Sequence, residues 1–153
     1  QDVAIFIASN IKSNIRELEG VLLRIIAYSS FTHRELNLEL AKEVLKEFIF
    51  DKTKNFTVQN IIKTVASYYD IKVSDIKSKR RTREISTTRQ IAMYLCREHT
   101  KLSLPEIGKQ FGGKDHTTVI FSHKKISNKV KDNNDLKKSI SEILSLIEEG
   151  KPV

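Results

Sequence analysis

Apolar residues recur along this chain at steps of three and four, the period of one helix face, and no stretch alternates as a strand would. Val3, Ile5, Phe6, Ile7 and Ile11 mark a short helical piece over residues 2–11. A second helix is expected from about residue 15 to 28, with Asn14 as its cap and Glu17 three positions on as capping-box partner. Its apolar set (Ile15, Leu18, Val21, Leu22, Leu23, Ile25 and Ile26) covers more than one stripe, which predicts a largely buried helix. Asn37 can cap a third, with Leu40, Val44, Leu45, Phe48 and Ile49 facing inward. Residues 1–50 thus read as a three-helix unit, and the polar stretch 51–56 reads as a linker.

Residues 57–153 read as a second unit, opened by a long helix. Thr57 caps it, and Ile61, Ile62, Val65, Tyr68 and Tyr69 point inward. Residues 73–77 suggest one short turn capped by Ser74, followed by a basic loop over 79–83. Ser86 or Thr87 starts the next helix, which ends near His99 and buries Ile91, Ala92, Leu95 and Cys96. Ser103, Pro105 and Glu106 form a capping box with proline in the first turn, opening a short helix over 104–111. Gly112 and Gly113 break that helix. Asp115 caps the following one, 116–130, whose inward positions are Val119, Ile120 and Ile126. A short helix, a glycine-bearing turn and a longer helix make the outline of a helix-turn-helix. A last amphipathic helix carries Leu136, Ile140, Ile143, Leu144 and Ile147. The fold class is all-α.

Length changes this picture little, since 153 residues fit one medium domain or two small ones. No run approaches the ~18 apolar residues of a membrane span. The lone Cys96 rules out an intramolecular disulfide and fits a reducing, cytoplasmic compartment. No signal peptide is visible. The sequence opens at Gln1, inside a helical pattern, as expected of a piece of a longer protein.

Charge changes it more. Residues 1–70 carry 9 basic and 9 acidic groups, residues 71–131 carry 15 and 5, and residues 132–153 carry 3 and 5. The whole +8 excess therefore sits in one middle block. A localised basic field suits a polyanion, with nucleic acid ahead of a membrane surface; the alternative is a surface that is merely well solvated.

Two stretches could do the binding. The recognition helix of a helix-turn-helix enters the major groove by its N-terminus, which here reads Asp115, His116, Thr117, Thr118. Aspartate can accept from the cytosine amine, and threonine can bond a base edge or meet a thymine methyl. The plain alternative is that Asp115 and Thr118 only cap their helix. Capping and reading are compatible for Asp115, which has two oxygens. The second stretch, residues 77–83, holds five basic residues in seven, a flexible arginine arm suited to a narrow minor groove. Other candidates are weaker. His116 and His123 share a helix face, but nothing completes a metal site. Cys96 lies on an apolar face, as a structural thiol would. There is no G-x-x-x-x-G-K-[ST] and no catalytic constellation, so an enzyme is not expected.

Residues 112–118 (Gly-Gly-Lys-Asp-His-Thr-Thr), 104–108 (Leu-Pro-Glu-Ile-Gly), 89–94 (Arg-Gln-Ile-Ala-Met-Tyr) and 78–83 (Ser-Lys-Arg-Arg-Thr-Arg) together resemble the DNA-binding domain of the DnaA family of bacterial replication initiators. Residues 14–20 (Asn-Ile-Arg-Glu-Leu-Glu-Gly) resemble the sensor-2 helix in the lid of that family's AAA+ ATPase domain, so the resemblance covers essentially the whole chain.

The resemblance implies specific roles. Arg81 would enter the minor groove of a DnaA box. Asp115, His116 and Thr117 would meet base edges in the major groove, and Pro105 a thymine methyl. Arg83, Arg89, Gln90 and Thr118 would lie at the phosphate backbone. Arg16 would be the sensor-2 arginine, facing nucleotide phosphates in the intact protein. Two positions depart from the family pattern. Thr88 stands where proline is usual, and Lys114 stands where arginine is common, which would alter a phosphate contact. The partners implied are double-stranded DNA at the origin, other DnaA protomers, and acidic phospholipids. ATP or ADP with magnesium would belong to the intact protein, and no cofactor is expected for this chain. The rival reading is a basic helical module that docks an acidic protein or an acidic membrane.

Overall fold

In the computed structural model, residues 1–11 and 15–150 are described, and every regular element among them is a helix. The chain divides into two compact units, Gln1–Lys54 and Asn55–Val153.

The first unit holds α1 (Asp2–Asn10), α2 (Ile15–Thr32) and α3 (Leu38–Thr53). Its core is Ile7 from α1, Val21 and Ile25 from α2, and Ala41, Val44 and Leu45 from α3. The Leu40 backbone N–H donates to Asn37 Oδ1 at 2.9 Å, so Asn37 does cap α3. The expected cap at Asn14 lies outside the described residues. Helix α2 runs to Thr32, past the expected end at 28, and α3 continues to Thr53, so part of the expected linker is helical. Ile49 does not face inward: it is 49% exposed.

The second unit holds α4 (Val58–Tyr68), α5 (Val73–Ile76), α6 (Arg83–His99), α7 (Leu104–Gln110), α8 (His116–Asp132) and α9 (Asn134–Glu149). One core joins them. Ile61, Ile62 and Val65 of α4 meet Ile91 and Leu95 of α6, Ile107 of α7, Val119 and Ile126 of α8, and Ile143 and Ile147 of α9. Phe111, just beyond α7, is among the largest side chains buried there.

The caps explain most boundaries. Thr57 Oγ1 accepts the Asn60 N–H at 3.2 Å and starts α4. Helix α4 is only 11 residues long, and it ends where Asp70 takes a left-handed φ of 54° and the Ile71 N–H returns to the Ala66 carbonyl at 2.8 Å. Ser103 and Glu106 make the reciprocal capping box of α7, at 2.7 and 3.4 Å.

Two expected starts move. Helix α5 is preceded by Lys72 and has no side-chain cap, while Ser74 sits inside it. Helix α6 begins at Arg83 behind Thr82, whose hydroxyl accepts the Ile85 N–H at 3.4 Å. The earlier start wins because it carries Ile85 into the core side of the helix, leaving it 6% exposed.

Candidate nucleic-acid interface

The turn between α7 and α8 is built by close backbone approach. The Lys114 N–H donates to the Gly108 carbonyl at 2.9 Å, and a Cβ on Gly108 would stand 2.1 Å from the Lys114 oxygen. Gly112 and Gly113 both take left-handed φ, 78° and 75°. A Cβ on Gly112 would stand 2.0 Å from the Lys77 oxygen, so glycine lets the turn press against the basic loop.

Helix α8 then starts at the expected cap. Asp115 Oδ1 accepts the Thr117 backbone N–H at 2.8 Å and the Thr117 hydroxyl at 2.9 Å. His116 Nδ1 lies 3.1 Å from the same oxygen. These contacts with Thr117 hold the carboxyl below its ordinary value. All three use Oδ1, which leaves Oδ2 for an outside donor. Asp115, His116 and Thr117 are exposed, Thr118 is half-buried, and Pro105 is exposed in the first turn of α7. Val119 and Ile126 are buried as expected, but Ile120 is not: it is 45% exposed. Lying three residues after Thr117, it shares a helix face with it and adds an apolar group of the kind that meets a thymine methyl.

The basic loop is not a free arm. The Ser78 hydroxyl donates to the Asp75 carbonyl at 2.6 Å and accepts the Arg80 N–H at 3.2 Å. Arg80 Nη1 reaches Asp75 Oδ1 at 3.3 Å. Arg89, reaching out from α6, does most of the holding. Its Nε donates to the Ile76 carbonyl at 2.6 Å, and its Nη2 lies 3.0 Å from the carbonyls of Asp75, Ser78 and Arg80. Lys114 Nζ donates to the same Ser78 carbonyl at 2.8 Å.

Arg89 is therefore 6% exposed, with its Nε and Nη2 committed to peptide carbonyls. Lys114 is likewise half-buried against the loop. Burial lowers the pKa of both, and neighbouring cations add to it: Arg81 for Arg89; Arg89, Lys79 and Arg81 for Lys114. Arg81 itself is exposed and makes no hydrogen bond or ion pair with a described residue. Arg83 is exposed at the first position of α6, and Gln90 is half-buried. Arg81, Asp115, His116 and Thr117 are thus presented to solvent, while Arg89 lies behind them.

Sequence reasoning missed the holding role of Arg89 and Lys114. A signal existed for Arg89: it falls four residues after Ile85 and three before Ala92, on the apolar stripe of its helix.

No group of three His, Cys, Asp or Glu among the described residues could hold a metal ion. Arg16 stands exposed in the first turn of α2. Cys96 is buried and its thiol is pushed up to about 12 by that burial, as in a structural thiol. No helix among the described residues is long and apolar enough to cross a membrane.

Comparison with known proteins agrees with the geometry. Residues 58–126 match the family described as the bacterial DnaA protein helix-turn-helix. A crystal structure described as a DNA replication initiation factor is similar over 98% of this chain, at 29% identity and a TM-score of 0.55. The chain spans 42% of that protein's length.

Proposed function

We propose that the chain, whose residues 58–126 match the bacterial DnaA helix-turn-helix family, recognises DnaA boxes in double-stranded DNA at a replication origin. The observation that carries this reading is the pairing of two exposed elements. Asp115, His116 and Thr117 stand at the solvent-facing start of α8, and the unpaired Arg81 stands on a loop joined to the same turn. A helix N-terminus of this kind fits the major groove, and an arginine on a shaped loop fits the narrow minor groove beside it.

Affinity comes from phosphate neutralisation by the basic block, and specificity from base edges and groove width. Arg83, Gln90 and Thr118 would meet the backbone, the first two through side chains and Thr118 through the first turn of α8. Pro105 and Ile120 supply apolar contact. Arg89 holds the loop through Nε and Nη2, which leaves Nη1 for a phosphate.

In the intact protein, ATP or ADP with magnesium and contacts between protomers would drive assembly at the origin, with Arg16 as nucleotide sensor. A role on the chromosome places it in the cytoplasm.

The acidic-membrane alternative loses its amphipathic helix, because Ile61, Ile62 and Val65 of α4 are buried in the unit's own core. Vesicle co-sedimentation tests what remains of it.

Fluorescence anisotropy with a labelled box duplex and a scrambled duplex, at several salt concentrations, tests the proposal. A box preference of about ten-fold or more, persisting as salt rises, is the expected result. With about six phosphates neutralised, log K should fall against log salt with a slope of roughly −5. Equal binding to both duplexes that vanishes with salt would overturn box recognition and leave a basic patch.

A further inference from the structure

Two cations from different elements converge on one peptide oxygen. Arg89 of α6 and Lys114 of the helix-turn-helix both reach the Ser78 carbonyl, at 3.0 and 2.8 Å. Arg89 also gathers the carbonyls of Asp75, Ile76 and Arg80. Gly112 completes the contact, since its missing Cβ leaves room for the Lys77 carbonyl. The loop is thus fastened twice, to α6 by a guanidinium and to the turn before α8 by an ammonium and a glycine.

Lysine and arginine near a nucleic-acid surface ordinarily stay solvated and meet phosphate. Here Arg89 spends its Nε and Nη2, and Lys114 one Nζ bond, on the loop's main chain, and no carboxylate is paired with either among the described residues. Desolvating two like charges at one site is costly, so the arrangement calls for a return beyond loop tidiness.

We propose that Arg89 and Lys114 are positioning residues that lock the basic loop to the recognition helix, so that the minor-groove and major-groove contacts are made in one fixed register. This rests on the reading that residue 81 works in the minor groove. A loop left loose would still carry its charge, but the favourable contact would be offset by the cost of ordering the loop on binding. Coupling between Arg81 and Lys114 follows, although their roles on DNA differ.

A double-mutant cycle read by anisotropy on a box duplex tests the lock, with hydrogen exchange of the 77–82 backbone amides measured on the same proteins without DNA. Arg81→Ala should cost about ten-fold in the unaltered chain and less than about three-fold in a Lys114→Met background. Exchange of the loop amides should quicken in Lys114→Met, and Lys114→Arg should restore both readouts. Gly112→Ala, which drives a methyl at the Lys77 oxygen, should reproduce the loss of coupling. Arg89→Met is the most direct variant but leaves several carbonyls unpaired and can fail to fold; Lys114→Met keeps the idea testable.

An equal cost of Arg81→Ala in both backgrounds would overturn the lock, as would a uniform loss on box and scrambled duplexes alike, the behaviour of a phosphate contact. If Arg81→Ala costs nothing even in the unaltered chain, the minor-groove reading fails on its own. Loop exchange then decides the lock, and exchange unchanged by Lys114→Met would reject it.

Discussion

Asp115 holds Thr117 twice through a single oxygen, taking both its backbone N–H and its hydroxyl on Oδ1. Capping and base reading therefore fall on different atoms of one carboxylate. Asp115→Asn keeps an oxygen for the cap and replaces the free acceptor by an amide donor. It should melt close to the unaltered chain while losing about ten-fold in preference for the box. Asp115→Ala should lose that preference and also melt lower, for want of the cap. Anisotropy beside thermal melting separates the two, and full discrimination in a folded Asn variant would remove Asp115 from the reading head.

Arg81 and Thr117 should fail in different ways. Arg81→Ala removes a charge that has no partner among the described residues and that repels Arg89 and Lys114, so its melting should not fall. Its binding loss should concentrate on duplexes with a narrow A·T-rich minor groove. Thr117→Ala should relax discrimination at one base position by about 1–3 kcal/mol. Competition with single-position box variants shows which bases each residue reads. Uniform weakening across all duplexes would count against either assignment.

Glycine substitutions should divide by what a methyl group meets. Gly108→Ala places one 2.1 Å from the Lys114 carbonyl oxygen, with backbone on both sides. It should cost about 3 kcal/mol or more and disrupt the turn. Gly20→Ala, inside α2 with nothing within 4 Å, should stabilise its helix by roughly 1 kcal/mol. Urea midpoints for both variants give the contrast directly.

His99 predicts a stability that falls with acid. Partial burial of its ring against Phe56 lowers its pKa from the ordinary 6.5 although the residue keeps an exposed face, and the nearby Glu98 and Glu148 only partly offset this. The unfolded chain then binds the proton more readily than the folded one. Stability should be full above about pH 6.5 and decline as pH drops towards the lowered folded value. His99→Phe keeps a ring against Phe56, on which His99 stacks at 5.1 Å, and should flatten the slope between pH 7 and 5. Denaturant titrations at three pH values would show it.

Cys96 should be silent in the folded chain. With its thiol at about 12 and no exposed surface, a disulfide reagent at pH 8 should label it only as fast as the second unit opens. In guanidinium it should react at once with one equivalent. Rapid labelling under native conditions would show that the core around α6 opens easily.

How far the sequence carried this picture depends on the range of the interaction involved. Asn37, Thr57, Ser103 with Glu106, and Asp115 all cap as their spacing suggests, because a cap is settled within four residues. The start of α6 was less legible. Thr87 and Gln90 make a capping-box spacing of their own, and only burial of Ile85 selects Thr82 instead. Ile49 and Ile120 sit at helical intervals yet face outward, since periodicity does not say how wide the covered face is. The arm around Arg81 was legible as charge but not as shape. Its shape comes from peptide oxygens of residues 75–80 meeting a side chain 9 to 14 positions later, and main-chain acceptors leave no trace in composition.

The mount of that arm has a consequence for how recognition can change. Every oxygen that Arg89 grips belongs to the main chain, and any amino acid except for local backbone preference supplies the same one. Side chains at 79 and 81 can then be exchanged without dismantling the scaffold that aims them. New groove preferences become reachable by single substitutions, each tried on an unchanged mount. A library randomised at those two positions should yield mostly folded proteins that differ in the DNA they select.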